Sequence, residues 1–225
     1  MPSNTPLIDR LKRLSWLSRS QLNRITNSAR MIELKRGQAI YRERERAAAV
    51  YIILSGQAVL AMVEARRRAL LTVVGPGDVV GISALISNGP RPFRCETLSE
   101  CRLAVLESEV FREVLLSEPG TFDQALGAVF GRWSGLLRRY ALFMSLNARG
   151  RVALALLELA ERFGVSDQRG RLLPFALSHS MIGEMVGASR QHVTMQLVEF
   201  EREKSVLREH RRMVVVPEKL RLALS

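Results

Sequence analysis

Residues 178–197 read Ser-His-Ser-Met-Ile-Gly-Glu-Met-Val-Gly-Ala-Ser-Arg-Gln-His-Val-Thr-Met-Gln-Leu, and they decide the fold of the C-terminal part of the chain. The Ser178 hydroxyl is suited to accept an unpaired backbone N–H at the start of a helix, and Ser189 is suited to cap a second one. Gly187 lies between them and can adopt the positive φ that ends a helix without steric cost. The stretch therefore predicts two short helices joined by a tight turn.

Apolar side chains repeat at helical spacing in both predicted helices. The two sets are Ile182, Met185 and Val186, then Val193, Leu197 and Phe200. Two helices joined by about three residues with a Gly form the helix-turn-helix pattern, in which the second helix enters the DNA major groove. The candidates for base contacts are Arg190, Gln191, Thr194 and Met195. An ordinary helical hairpin in a core has the same pattern, so the motif alone leaves both interpretations open.

The residues after the second helix predict a β-hairpin beside it. Val206 and Leu207 precede a basic segment at 208–212, and the apolar run 213–216 follows. Such a hairpin is the wing of a winged helix-turn-helix, and cations at its tip reach DNA phosphates. We predict phosphate contacts from the wing and from the start of the second helix: Arg211, Arg212, Ser189 and His192.

The chain has 225 residues and a formal net charge of +12, which favours a polyanionic partner such as DNA. No apolar run approaches the roughly 18–20 residues that span a bilayer, so we expect no membrane association. The N-terminus lacks the order of a signal peptide, and two cysteines suggest no disulfide framework. A cytoplasmic protein is therefore expected.

Residues 31–106 consist of short apolar or alternating runs separated by Gly, Pro and charged turns. Clear examples are Val50–Leu54 before a Ser-Gly pair, and Ala69–Val74 before Gly-Pro-Gly-Asp. Many short strands at regular spacing are typical of an antiparallel sandwich or barrel. Leucines at helical spacing predict a helix before this region, at 5–30, and another follows at 107–116.

The cleanest periodicity runs from Thr121 to Leu146 and predicts one helix about 39 Å long. Apolar side chains recur along it at spacings of 4-3-4-3-4-3, and they are Phe122, Leu126, Val129, Trp133, Leu136, Tyr140 and Phe143. A heptad seam of this length is more often a contact between helices than a lone surface helix, so we predict a parallel homodimer. The alternative is that the seam packs onto the protein's own domains. Leu137 and Met144 lie beside it and are placed to face the β-rich domain.

The segment 147–150, Asn-Ala-Arg-Gly, is predicted to be a hinge. A helix is expected at 151–163, and a loop at 164–170.

The glycine turns and their order form a specific combination. Its parts are Arg36-Gly37, Val50–Gly56, Gly75-x-Gly-Asp-x-x-Gly81, the long helix, and Gly187-Ala-Ser-Arg190 before the wing. Over roughly residues 10–217 the chain resembles the CRP/FNR superfamily of bacterial transcription regulators (cAMP receptor protein and fumarate-nitrate regulator type). Each glycine turn alone is a weak signal, so the specificity lies in the combination.

The resemblance implies an α+β protein in three parts. They are an N-terminal double-stranded β-helix (jelly-roll, cyclic-nucleotide-binding-like) sensor domain at 1–118, a dimerisation helix at 119–147, and a winged helix-turn-helix DNA-binding domain at 148–225. It implies a homodimeric transcription regulator that reads a palindromic operator on double-stranded DNA through the helix at 189–204. RNA polymerase is a further expected partner.

The expected effector pocket departs from the pattern of the cyclic-nucleotide-binding members. There, a Glu that holds the ribose hydroxyl follows the Gly matching Gly81, and here Ile82 and Ser83 follow it. An Arg-Ser pair takes the cyclic phosphate, whereas Arg91-Pro92 keeps the guanidinium but lacks the hydroxyl and a backbone N–H. Each ligand group left unpaired costs about 1–3 kcal/mol. We therefore expect no cAMP binding, and the segment looks closer to the FNR-like branch.

Members of that branch often use an iron–sulfur cluster, which needs about four cysteines. This chain has Cys95 and Cys101, and neither lies in the N-terminal stretch where the family's ligands are found. All three histidines lie in the expected DNA-binding part, which argues against haem in the sensor domain. We expect no cofactor and no metal. The cysteines are interpreted as small, semi-buried residues, with a thiol switch as the alternative.

The resemblance also bears on the DNA contacts. Arg190 matches an Arg that some members use on guanine, to which a guanidinium donates two parallel hydrogen bonds. Gln191 replaces a common Glu and Met195 a common Arg, so we expect an operator unlike the usual CRP or FNR half-site. Phosphate contacts are implied at the start of the first helix, by Ser178, His179 and Ser180.

Two further classes of function compete with this interpretation. The sequence has no phosphate-loop motif, metal-ligand spacing or Ser/His/Asp arrangement, so we expect no enzyme. A cyclic-nucleotide-binding-like module that controls a partner protein remains an alternative. Glu184 and Glu199 are expected in ion pairs or in solvent. Control is expected to be allosteric, through an unidentified signal, or absent, with a constitutively active protein.

Overall fold

The computed structural model describes residues 14, 16–64, 67–86 and 89–224. The chain divides into two compact units. One consists of Met1–Val63 and Thr72–Gly135, and the other of Glu64–Leu71 and Leu136–Ser225.

The eight strands between Arg30 and Glu107 form two four-stranded antiparallel sheets, with orders β1-β8-β3-β6 and β2-β7-β4-β5. Their bounds are β1 Arg30–Leu34, β2 Ala39–Tyr41, β3 Ala49–Ser55, β4 Ala58–Glu64, β5 Arg67–Val74, β6 Val79–Val80, β7 Arg94–Thr97 and β8 Cys101–Glu107. The predicted β-sandwich with jelly-roll character is confirmed.

Strand β3 shows why this region folds into two layers. Successive side chains of a strand point to opposite faces. Val50 and Ile52 accordingly belong to one buried cluster, which also contains Phe111 from the helix that follows β8. Ile53 belongs to the other, which contains Cys95. A strand that is apolar on both faces must be covered on both.

The first described helix, α1, spans Arg19–Ser28. Ser18 and Gln21 form a reciprocal capping box, in which the Ser18 hydroxyl accepts from the Gln21 N–H and the Gln21 side-chain oxygen accepts from the Ser18 N–H. Leu14 and Leu17 are buried but lie outside the helix. The prediction of one continuous helix at 5–30 is therefore wrong at its middle, and its start lies outside the described residues.

Helix α2 spans Ser108–Leu116, and α3 spans Thr121–Ser145 over 25 residues. Both helices match the sequence prediction. Ala125 packs against the β-domain core, and Arg132 bonds to Asp78 at 2.9 Å. Six of the seven seam side chains of α3 are exposed, with Phe143 half-buried. Leu137 and Met144, which lie beside the seam, are 48% and 73% exposed.

The second unit combines helices with one four-stranded antiparallel sheet of order β11-β12-β10-β9. Its elements are α4 Ala148–Phe163, β9 Val165–Asp167, β10 Gly170–Leu172, α5 His179–Val186, α6 Arg190–Arg202, β11 Val206–Glu209, β12 Arg212–Val215 and α7 Pro217–Leu220. The helix-turn-helix and the wing are confirmed. The expected loop at 164–170 is instead a short hairpin, because β12 offers β10 an edge with which to pair.

The connection between α3 and α4 consists of Leu146 and Asn147 alone. The Asn147 side chain accepts the Gly150 N–H at 2.9 Å and caps α4. Gly150 is buried, and a Cβ there would lie 3.0 Å from the Leu146 Cδ2 and 3.2 Å from the Ala223 carbonyl oxygen. The predicted bounds of the hinge, 147–150, are wrong in part, because 148–150 belong to α4 and the break between the two helices lies at 146–147.

Candidate nucleic-acid interface

Two serine caps and a glycine set the geometry of the helix-turn-helix. The Ser178 Oγ accepts the Met181 N–H at 3.1 Å, and the Ser189 Oγ accepts the His192 N–H at 3.2 Å. Gly187 ends α5 with a φ of 66°. Both hydroxyls act as helix caps, and each still has a proton that it can donate to a phosphate.

The buried face of α6 anchors it to the core, and the opposite face is open. Its three apolar anchors are buried, as the periodicity predicts: Val193, Leu197 and Phe200. Arg190, Gln191 and His192 are exposed at the start of the helix, and Met195 is 51% exposed. Gln191 and Met195 are four residues apart and share one side of the helix, and Arg190 and His192 flank it in the first turn.

Val198 extends this face and was missed from the sequence. It is 58% exposed and lies seven residues after Gln191 and three after Met195. Residues at these spacings share one side of a helix. An apolar residue outside the buried set of α6 was the signal that could have identified it.

His179 joins three elements through both ring nitrogens. The Thr194 hydroxyl donates to the Arg190 carbonyl at 2.9 Å, so it accepts from the His179 Nδ1–H at 2.7 Å. The Nε2 lone pair of this neutral tautomer then faces the Arg208 Nη2 at 3.4 Å. His179, predicted as a phosphate contact, thus uses its ring to link α5, α6 and β11 in this structure.

The pKa of His179 lies below its ordinary value. Partial burial is the main cause, because it disfavours the charged imidazolium. The cations Arg208 and Arg190 lower it further, while Glu201 opposes them. The neutral ring that the hydrogen bonds require is therefore also the one that the surroundings favour.

The wing presents cations of two kinds. Arg208, in β11, is held by Glu201 at 3.0 Å. Arg211 and Arg212 are exposed at and next to the turn, and His210 adopts a φ of 54° in that turn. Ser180 is exposed at the start of α5. The two tip arginines are therefore the wing cations best placed to meet phosphates.

The acidic residues near this interface are used in ion pairs, as expected. Glu184 pairs with Arg68 at 3.4 Å, and Glu199 pairs with Arg149 at 2.8 Å. Each of these carboxylates is therefore paired with a cation of the protein itself.

Arg91 occupies the expected effector pocket of the β-domain as a buried cation, 2% exposed. It donates to the Gly81 carbonyl at 3.1 Å and to the Ala49 carbonyl at 2.7 Å. Its guanidinium carbon lies 4.2 Å from the centre of the Tyr41 ring and 5.6 Å from that of Tyr51. Backbone carbonyls and aromatic faces thus stabilise the charge.

The other expected pocket residues are less enclosed. Ile82 and Ser83 are half-buried in a short 3₁₀ turn that follows Gly81, whose φ is 78°. Pro92 is exposed, beside the buried Arg91. The structure brings Gly81 and Arg91 together, while Ile82 adds apolar surface next to them.

Family models match both units. The cyclic nucleotide-binding domain matches residues 31–118, and the Crp-like helix-turn-helix domain matches 150–223. Over 187 residues the chain is 29% identical to the CRP-like cAMP-activated global transcriptional regulator of Mycobacterium tuberculosis, covering 80% of this chain and 81% of that protein. The chain belongs to the CRP/FNR superfamily of transcription regulators.

Solved structures share the fold of this CRP/FNR protein. FixK2 from Bradyrhizobium japonicum superposes with a TM-score of 0.75 at 20% identity, covering 87% of this chain and 96% of that one. TTHB099, a CRP-family transcriptional regulator from Thermus thermophilus, gives a TM-score of 0.73 at 23% identity, covering 86% and 97%. These likenesses concern the fold alone.

The two cysteines of this CRP/FNR chain are fully buried in one core cluster with Ile53 and Leu103. Burial raises the pKa of Cys95, and it raises that of Cys101 to about 11. The Cys101 thiol also donates to the Gln57 carbonyl at 3.3 Å. Reactive cysteines are accessible and have lowered pKa values. The burial therefore favours a packing role over a thiol switch, and it exceeds the semi-buried state expected.

Within the described ranges, no group of three or more His, Cys, Asp or Glu is arranged to hold a metal ion. In the same part of the chain, no helix has the length and apolar character needed to cross a bilayer.

The lowered pKa of His179 predicts a pH dependence of stability. Because the unfolded chain takes up the His179 proton at a higher pH than the folded protein does, the free energy of unfolding should fall as pH drops below about 6.5. The loss should level off once pH passes below the folded-state pKa. Replacing His179 by Gln should reduce this fall, as measured by urea unfolding at pH 7.5 and 5.5.

His192→Gln is the matched control, because His192 is exposed on the same helix-turn-helix. It should keep the wild-type difference between the two pH values. If His179→Gln keeps that difference as well, the assignment of a neutral, hydrogen-bonded ring to His179 is wrong.

Proposed function

We propose that this protein is a homodimeric, sequence-specific transcription regulator that reads a palindromic operator through α6. The observation that carries the proposal is the open face of α6. Arg190, Gln191 and Met195 are exposed on it, while serine caps and a buried apolar face hold the helix in place. An exposed start of a second helix is what a helix-turn-helix presents to the major groove.

Base reading is assigned by chemistry. The Arg190 guanidinium suits the O6 and N7 of guanine, and the Gln191 amide suits the N6 and N7 of adenine. Met195 and Val198 offer apolar surface to thymine methyl groups. Ser178, Ser180, Ser189, His192 and the tip arginines then supply phosphate contacts, which position the protein without reading sequence.

Dimerisation is proposed through the seam of α3. Six exposed apolar residues at heptad spacing would leave a long apolar stripe in water in a monomer. A second copy of the same seam buries this stripe, because a/d side chains of two parallel helices interdigitate. A two-fold dimer then presents two α6 helices to two half-sites about 34 Å apart.

We also propose that cAMP does not drive this regulator, although the M. tuberculosis relative is named as cAMP-activated. Two of the Arg91 donors are already bonded to backbone carbonyls, and Ile82 offers no acceptor to a ribose hydroxyl. We propose instead that DNA binding is controlled by another signal that acts on the β-domain, or that it is constitutive. The protein is proposed to act with RNA polymerase in the cytoplasm and to have no catalytic activity.

Selection of double-stranded DNA from a random pool, followed by sequencing, tests the operator. We expect a palindromic consensus, with binding that weakens as salt rises. Arg190→Ala should weaken binding to it by about 1–3 kcal/mol and relax the preference at one base of each half-site. Arg138→Ala on α3, also an exposed arginine, should leave both unchanged. Recovery of no consensus by the wild type would refute the proposed function.

Sedimentation of two variants on the same turn of α3 tests the dimer. Leu126→Arg places a charge in the seam and should shift the protein to monomer, because an unpaired charge at the centre of a coiled coil is costly to bury. Gln124→Arg adds the same side chain off the seam and should stay dimeric. Equal behaviour of the two variants would exclude this interface.

Titration calorimetry with cAMP tests the effector proposal. We expect no heat of binding at millimolar ligand and no change in operator affinity. Saturable binding that Arg91→Gln abolishes would contradict the proposal.

A further inference from the structure

The first turn of α4 is joined to the last turn of α6 by one arginine. The Arg149 Nη1 donates to the Glu199 carboxylate at 2.8 Å. Its Nη2 donates to both oxygens of Glu203, at 2.8 and 2.7 Å. The guanidinium carbon also lies 4.6 Å from the centre of the Phe200 ring. We call these four residues the Arg149 clamp.

The clamp is partly shielded from water, since its charged side chains are 29–42% exposed and Phe200 is fully buried. Charge-assisted hydrogen bonds of this kind are short and directional. A fully exposed pair would instead contribute little to the structure.

Each charge in the clamp lies where its own helix disfavours it. The N-terminus of a helix carries a partial positive charge and the C-terminus a partial negative one. Arg149 nevertheless lies in the first turn of α4, while Glu199 lies in the last turn of α6 and Glu203 at its C-cap. The two glutamates are also four residues apart, where like charges repel. The ion pairs of the arginine offset these unfavourable interactions only while it bridges the two helices.

The clamp restricts the rotation of α6 about its axis, which apolar packing alone does not fix. Val193, Leu197 and Phe200 hold α6 against the core, but apolar attraction is not directional. A guanidinium bonded to two carboxylates on one helix face restricts rotation of that helix about its axis. The direction in which Arg190 and Gln191 point depends on that rotation.

Arg149 lies only four residues beyond the end of α3. The intervening break is capped by Asn147 and filled by Leu146 against Gly150. The path from the C-terminal part of α3 to α6 is therefore short.

We propose that Arg149 is a positioning residue that transmits the orientation of the dimer seam helix to the DNA-reading helix, and so sets which half-site spacing is read. The inference rests on the proposed function. Arg149 lies at the far end of α6 from Arg190 and need not touch DNA for this role.

The test uses the selected operator and two derivatives with one base pair added or removed at its centre. One base pair moves the half-sites by about 3.4 Å and rotates one against the other, so a rigid dimer should bind the derivatives poorly. Wild-type protein should prefer the matched operator. Arg149→Gln should reduce the matched-to-altered affinity ratio by about tenfold.

Further variants separate positioning from folding. Arg149→Lys keeps the charge but loses the fork, so its affinity ratio should be intermediate. Arg149→Glu combined with Glu203→Arg should recover part of the spacing preference that Arg149→Glu alone loses. Should Arg149→Gln fail to fold, Glu203→Gln at the exposed end of α6 carries the same expectation. Arg138→Gln is the control outside the clamp.

The outcomes are distinct. Selective wild-type binding with an unchanged spacing preference in Arg149→Gln and Glu203→Gln overturns the role of the clamp and leaves the proposed function standing. Absence of any selective wild-type binding overturns the proposed function, and the inference with it.

Discussion

Six of the seven apolar seam side chains of α3 are exposed in the single chain, and they extend from Phe122 to Tyr140. Burial of apolar surface contributes about 25 cal/mol per Å². Contiguous apolar patches of this extent are unusual on monomers. Residues 121–135 of the same helix belong to one compact unit and residues 136–145 to the other. A partner that covers the seam would therefore contact a helix that contains residues of both units.

The positive charge of the chain divides into two populations. Many arginines hold the protein's own elements together: Arg132 pairs with Asp78, Arg149 with Glu199 and Glu203, and Arg208 with Glu201. Arg190, Arg211 and Arg212 are instead exposed on the candidate DNA interface. The net charge of +12 overstates what is available for phosphates, because local pairing decides which cations a polyanion meets.

Local signals made most of the architecture predictable. Caps at Ser178 and Ser189, the positive φ at Gly187 and the heptads of α3 all act over a few residues, and the sequence displays them directly. The same holds for the alternation of β3, in which neighbouring apolar residues enter different clusters.

Features that depend on distant residues were not predictable in this way. The hairpin at 165–172 has polar, Gly-containing sequence typical of a loop and exists because β12 pairs with β10. Glu199 and Glu203 lie 50 and 54 residues from Arg149 in the sequence, so no local sequence pattern predicts their ion pairs. From the sequence, His179 is predicted to contact a phosphate. Its partners in the structure, Thr194 and Arg208, lie next to it only in the folded domain, so the sequence alone does not show them.

The position of β12 in its sheet has a consequence for recognition. It pairs with β11 on one side and with β10 on the other, so the wing is part of a four-stranded sheet and not an isolated hairpin. An isolated two-stranded hairpin is at best marginally stable in water. A wing built into a sheet keeps its shape before DNA arrives, and little conformational entropy remains to be lost on binding. In the proposed complex, the tip arginines would therefore approach the phosphate backbone from a preorganised scaffold.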